Sequence, residues 1–210
     1  PVYLMNCGVG PLMVVLLGIG SFFLPSEQKE LAGPLLLRAA PLAAAFFVGM
    51  ESTTAAALSL EGRNRWILYS SPVDTRTIFN AKIAVGLTAS APAVTLGGPL
   101  LALGLGGAPV ELLLVMAVPA VYAVLSAVVG LAVNLKFPNY EWTTETAVVK
   151  QGSAVLVSML IGIGAAIVPF ILVFALAAFP AWLPLGIWSL LLLAGSYAVY
   201  RRLIKVRLYW

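Results

Sequence analysis

Histidine is absent from this chain of 210 residues, and cysteine and aspartate occur once each, as Cys7 and Asp74. Without histidine there is no ordinary pH switch and no imidazole metal ligand, and no nucleophile–histidine pair can be built. A single aspartate excludes paired-aspartate intramembrane proteases and aspartate-rich phosphotransferases. One cysteine makes neither a disulfide framework nor a metal site; Cys7 lies in an apolar stretch and reads as a small core residue. No phosphate-cradling GxxxxGK[ST] loop occurs. Charge is scarce too, at 10% of residues against roughly 25% in a typical globular protein. So few charges cannot clothe a soluble fold, and an apolar content of 61% excludes disorder. The composition is that of an all-α, polytopic membrane protein.

Charge-free runs locate the spans, because a transmembrane helix needs about 20 mostly apolar residues. No charge falls between Pro1 and Ser26, Ile83 and Val110, Leu112 and Leu135, or Gln151 and Tyr200, and a shorter clean run joins Ala39 to Met50. The pattern predicts a single domain over residues 1–210 with six transmembrane helices, at 3–24, 36–58, 83–105, 112–134, 151–178 and 185–203. The last two are divided at Pro180-Ala181-Trp182-Leu183-Pro184.

The net charge is +4, and its placement says more than its sum. Ten basic residues lie in the loops at 59–82 and 135–150 or at and beyond the end of the last helix, whereas only Lys29 and Arg38 lie on the other side. Basic residues mark the cytoplasmic face, so the expectation is a multi-pass protein of the cytoplasmic (inner) cell membrane with both termini in the cytoplasm. The basic balance therefore points to the lipid bilayer as partner and not to nucleic acid. Trp182 and Trp188 at one end of the last helix, with Tyr197 and Tyr200 at the other, have the spacing of interfacial belts. The chain begins at Pro1 without a basic leader, and the expectation is a piece of a longer polypeptide.

Small residues four apart (Ser126 and Gly130; Ser158, Gly162 and Ala166) predict close helix approach. Gly97-Gly98-Pro99 is expected to bend or break the third span and Pro169 to kink the fifth. One ionisable residue, Glu51, falls inside a predicted span, some seven residues before its cytoplasmic end and followed by Ser52, Thr53 and Thr54. An intramembrane carboxyl is a functional candidate by default. Its readings are a proton or cation site, a polar contact with a partner helix, a carboxyl kept neutral by burial, or one reached by water.

The loops carry the remaining information. Residues 59–82 mix charge with Trp66, Ile67, Leu68 and Tyr69; Trp66, Ile67 and Tyr69 would lie at the membrane interface or against a partner. Glu61 and Arg65 are four apart, in the favourable order for a helical pair. Ser71-Pro72-Val73-Asp74 has the chemistry of a helix start, with Ser71 or Asp74 as the cap. The loop is thus expected to hold a short helix, a turn and a restart. An amphipathic elbow resting on lipid headgroups would read the same way.

The stretch Ser59 to Pro72, continuing to Ala81-Lys82, resembles the S-x-E-G-[RK]-x-x-W-I-L-x-S-x-P…A-K pattern of a group of prokaryotic ABC-2-type transporter permeases. Asn134-Leu135-Lys136-Phe137-Pro138-Asn139-Tyr140-Glu141-Trp142, with Glu145 to Gly152, is similar to that group's N-L-x-F-P-x-x-x-W…E-x-x-x-V-K-Q segment, and Pro1 to Asn6 to its approach to a membrane half. The resemblance implies a six-helix exporter domain whose loop between the second and third spans carries a coupling helix. That helix would dock on an ABC ATPase subunit through Glu61, Gly62, Arg63, Arg65 and Trp66, with Glu141, Trp142, Glu145 and Lys150 as a second cytoplasmic contact. It implies short re-entrant helices in the region 170–184. The family's N-terminal interface helix has no counterpart here, so the expectation is the C-terminal half of a larger permease, paired with a second six-helix half or a second copy.

The resulting expectation is a transport domain and not an enzyme: it binds no cofactor directly and uses ATP hydrolysed by a partner subunit. Its substrate is unassigned, with amphipathic or apolar cargo mildly favoured by the almost charge-free interior. The rivals are an ion-coupled secondary transporter or channel working through Glu51, and a membrane scaffold without transport.

Overall fold

The computed structural model describes residues 2–70, 72–176 and 178–207, and of residues 2–7, 68 and 69 the backbone alone. Ser71 and the side chains of Cys7 and Tyr69 therefore lie outside the described residues. The described residues form helices and connections, with no strand. In chain order the helices are α1 (Val2–Phe22), α2 (Ser26–Gly49), α3 (Thr53–Ala56), α4 (Arg65–Ser70), α5 (Thr75–Pro92), α6 (Gly98–Gly104), α7 (Pro109–Lys136), α8 (Glu145–Gln151), α9 (Ser153–Ala175) and α10 (Trp182–Leu203). A 3-10 turn, Ser59–Asn64, precedes α4, and a π turn, Ala93–Gly97, joins α5 to α6.

Five stretches are long and apolar enough to cross a membrane: Ser26–Ile67, Thr75–Gly104, Pro109–Lys136, Glu145–Ala175 and Trp182–Leu203. Of α1, the stretch with described side chains, Gly8–Phe22, is apolar as well. Large apolar side chains cover the outside of the bundle; Leu190 on α10 is 69% exposed and Leu160 on α9 is 68% exposed. An apolar surface on this scale suits hydrocarbon and not water. The chain is a helical membrane protein.

Several span boundaries move, each for a local reason. The expected connection at 25–35 shrinks to a turn at Phe23–Pro25, because Ser26-Glu27-Gln28-Lys29-Glu30-Leu31 is made of good helix formers with an acid in the first turn. The span expected at 36–58 ends at Gly49 and resumes as α3, so Glu51 sits in a break between helices and not inside one. The third begins at Thr75 rather than 83, which places Lys82 within α5, and Asp74 occupies its N-cap position. The fourth runs from Pro109 to Lys136, three residues early and two late. The fifth ends at Ala175 and the sixth begins at Trp182. No re-entrant helix forms between them among the described residues; instead Phe179 N donates to Leu176 O at 2.9 Å, which turns the chain back.

The two expected distortions resolve differently. Ahead of Gly97-Gly98-Pro99 the hydrogen bonding shifts to the π pattern over Ala93–Gly97 before α6 resumes. Pro169 lies within a continuous α9. A proline has no N–H to give the carbonyl four residues earlier, which is that of Ala165. That orphan carbonyl accepts from the Tyr122 hydroxyl on α7 and from Trp188 Nε1 on α10 at 3.0 Å. Trp188 is therefore drawn into the bundle, and of the two tryptophans only Trp182, half exposed, has the setting of an interfacial residue.

α7 is the hub. It packs against α2, α3, α5, α6, α9 and α10. Its middle contributes Tyr122 and Ala123 to a core with Val14, Leu42, Val48 and Val173, and its last third contributes Ala127 and Leu131 to another with Leu58, Phe79 and Leu203. The small-residue spacing does what it implied: a Cβ on Gly162 of α9 would run into the carbonyl of Gly49, so glycine lets α2 and α9 meet backbone to backbone at the end of α2.

Candidate functional site

The predicted site residues gather at one end of the bundle, around the break after α2. Glu51, Ser52, Thr53 and Thr54 are all buried. Glu51 Oε1 accepts from Thr53 N at 3.1 Å, and its Oε2 accepts from Ser90 Oγ on α5 at 3.1 Å. Ser126 Oγ on α7 donates to the Glu51 carbonyl at 2.6 Å, while Thr54 Oγ1 donates to the Ser126 carbonyl at 3.1 Å. The unwound backbone is thus stitched to α5 and α7, as broken membrane helices require. Each carboxylate oxygen accepts from one donor, an arrangement that fixes the turn.

One turn onward a second polar knot forms. Asn134, near the end of α7 and 1% exposed, accepts at Oδ1 from Leu58 N (2.7 Å) and Ser59 N (3.1 Å), and its Nδ2 donates to Ser59 Oγ (2.7 Å). Ser59 Oγ also accepts from Asn139 N at 2.9 Å, and the Ser59 carbonyl accepts from Trp142 Nε1 at 2.6 Å. Lys82 Nζ donates to the Ala57 carbonyl at 2.9 Å and pairs with Glu61 Oε1 at 2.6 Å. The start of the 59–82 loop is therefore held by α5, α7 and the 137–144 segment at once.

The expected Glu61–Arg65 helical pair does not form. Gly62 interrupts the helical path at φ 52°, ψ −129°, which turns Glu61 toward Lys82. That conformation suits glycine, and the space a side chain would take is filled by the Trp142 indole, 3.3 Å from an ideal Cβ. Arg65 instead lies over the Tyr140 ring, its guanidinium carbon 4.4 Å from the centroid. Trp142, partly buried, is thus a brace between the two loops.

What faces outward is the first turn of α4 and its approach. Trp66 is 62% exposed and Ile67 55%. Arg63 and Glu141 are exposed beside them, and Arg63, Arg65, Trp66, Tyr140 and Glu141 line one cleft of about 560 Å³. Glu145 stands exposed in the first turn of α8. Lys150, in its last turn, is apart from that cleft and lines a cavity of about 320 Å³ with Glu51 and Ser52. Arg63, Arg65, Trp66 and Glu141 thus share one cleft, Gly62 packs on Trp142, Glu61 turns to Lys82, and Lys150 lines a different cavity. Among the described residues no three of His, Cys, Asp and Glu approach closely enough to hold a metal ion.

Sequence reading missed the roles of Asn134, Ser59 and Lys82. A polar residue near the end of an apolar helix was the available signal for Asn134. Ser90 and Ser126 gave none, since lone serines in apolar helices are common. The chain matches no family model, no curated protein and no solved structure.

Proposed function

We propose that this chain is a six-helix permease domain of an ATP-driven exporter, with α1, α2, α5–α6, α7, α9 and α10 as its spans and the 59–82 loop as the element that receives the ATPase. The observation that carries the reading is the way this loop is built. Its root is pinned by Asn134, Trp142 and Lys82 through buried or half-buried hydrogen bonds, while Trp66 and Ile67 project from α4 beside Arg63. A rigidly braced loop can pass a push into the bundle. A headgroup-resting elbow would need amphipathicity but no such bracing. The knots also run from Gly62 to the α2–α3 break at Glu51, so displacement of the loop reaches the unwound segment between α2 and α3. The resemblance of both loops to ABC-2-type permeases agrees with this. The domain's work is then to alternate between conformations biased by nucleotide state in the partner. On this reading the loop end is cytoplasmic, the membrane is the inner cell membrane, and a second six-helix half or second copy completes the transporter.

Interface energy concentrates in a few aromatic and arginine anchors. Trp66→Ala is therefore expected to weaken capture of the co-purified ATPase by about 1–3 kcal/mol, with membrane insertion intact because the residue lies outside the packed core. Arg63→Ala, at an exposed rim, is expected to cost little. Purification of tagged wild-type and variant chains with their native partners measures this. Full ATPase capture and undiminished transport-coupled hydrolysis by Trp66→Ala would refute the proposal and leave a membrane-resting elbow.

A further inference from the structure

At the end of the bundle opposite the braced loops lies a cavity of about 350 Å³, lined by Pro34, Arg38, Glu111, Leu114, Pro180 and Trp182 among others. It brings together two groups of opposite charge from different helices. Arg38 on α2 donates from Nη2 to the carbonyls of Phe179 (2.8 Å) and Leu176 (3.3 Å), which closes the C-terminal end of α9 with a cation. Glu111 stands in the first turn of α7. Its Oε2 is shielded from solvent and accepts no hydrogen bond. A shielded carboxylate oxygen without a donor is costly, and such a group in a native structure calls for an explanation. The cavity beside it is where the missing donor belongs.

We propose that this cavity binds the head of a zwitterion, with a primary ammonium donating to Glu111 and an anionic group set against Arg38. The donor must carry N–H bonds, which a quaternary ammonium lacks. Trp182, at the start of α10, adds the aromatic wall that cations favour, and Pro34 and Leu114 make the remainder apolar. The volume is at the small end of ligand pockets, which run from roughly 300 to 1,000 Å³, so it holds a head and not a whole large molecule. The same head could arrive on a membrane lipid as phosphatidylethanolamine or free in water as phosphoethanolamine. The inference is independent of the ATPase reading, since it uses no residue of the braced loops.

The full chain in nanodiscs of phosphatidylcholine supplies the test, with its thermal midpoint as the readout. Replacing part of the lipid with phosphatidylethanolamine, or adding millimolar phosphoethanolamine, is expected to raise the midpoint of the wild type. Glu111→Gln, which keeps an acceptor but loses the charge, is expected to need about tenfold more ligand for the same rise. A rise with the lipid alone assigns the site to membrane headgroups; a rise with both assigns it to the free zwitterion as well. If Glu111→Gln does not assemble, Trp182→Leu replaces it, with the same weakened response expected. No midpoint change in the wild type with either ligand would overturn the proposal and leave water as the occupant. An undiminished response in the variant that assembles would overturn it too.

Discussion

Asn134 offers the sharpest test of how the loops are held. Replacing it with leucine keeps the branched shape and the number of side-chain heavy atoms, and removes the side chain's polar atoms. The structure then leaves two donors, Leu58 N and Ser59 N, facing a hydrocarbon side chain, and takes one of the two donors from Ser59 Oγ. Ser59 Oγ keeps its bond from Asn139 N, so it is not counted. Each shielded donor left unmade costs about 1–3 kcal/mol, so Asn134→Leu should destabilise the bundle by about 2–6 kcal/mol. Asn134→Asp retains an acceptor for both N–H groups but buries a charge, and should fall between leucine and wild type. Unfolding by denaturant in mixed micelles gives the stability. Asn64→Cys, in a background lacking Cys7, reports the loop: labelling of the introduced thiol should quicken as the root of the 59–82 segment loosens. Refutation is simple to recognise. If Asn134→Leu unfolds at the wild-type denaturant concentration and the thiol at position 64 reacts no faster, the knot does not anchor the loop.

Three neighbouring features give further expectations. Gly62→Ala forces a side chain onto a positive-φ position and against the Trp142 indole, so it should cost about 1–3 kcal/mol in the same unfolding measurement; a neutral result would mean the turn relaxes freely. Glu51→Gln should be nearly silent in stability and in coupled ATP hydrolysis, because Oε1 still accepts from Thr53 N while Nε2 can donate to Ser90 Oγ, whose own hydrogen has the Gly86 carbonyl 3.2 Å away. Glu51→Leu, which strands Thr53 N while the Ser90 hydroxyl turns to the Gly86 carbonyl, should lose about 1–3 kcal/mol, and equal loss in both variants would show that the charge itself is needed. Single cysteines introduced at the exposed positions Asn64 and Asn139 should be labelled from the cytoplasmic side only and one at Gln28 from the outside; external labelling at position 64 would reverse the topology.

Much of this molecule was legible before any coordinates. Lipid-facing helices need no alternation of polar and apolar faces, only length and freedom from charge, so the clean runs located the helical stretches. Close approach at Gly162 was readable because a missing Cβ is a property of the residue. Helix ends were less so: Ser26 to Leu31 is charged yet helical, since charge excludes a residue from hydrocarbon but not from a helix. The tertiary structure alone decided the polar knots. Glu61 was paired in sequence with its neighbour Arg65, yet the positive φ of Gly62 and the packing of Trp142 hand it to Lys82, twenty-one residues away. Glu51 was placed inside a helix because its flanks are apolar, and the break exists because Ser90 and Ser126 from two other helices satisfy the groups it releases. Sequence thus set which segments are helical and apolar, through the cost of exposing backbone and charge to lipid. Which polar groups meet was set by long-range packing, for hydrogen bonds between distant residues leave no periodic trace in the chain.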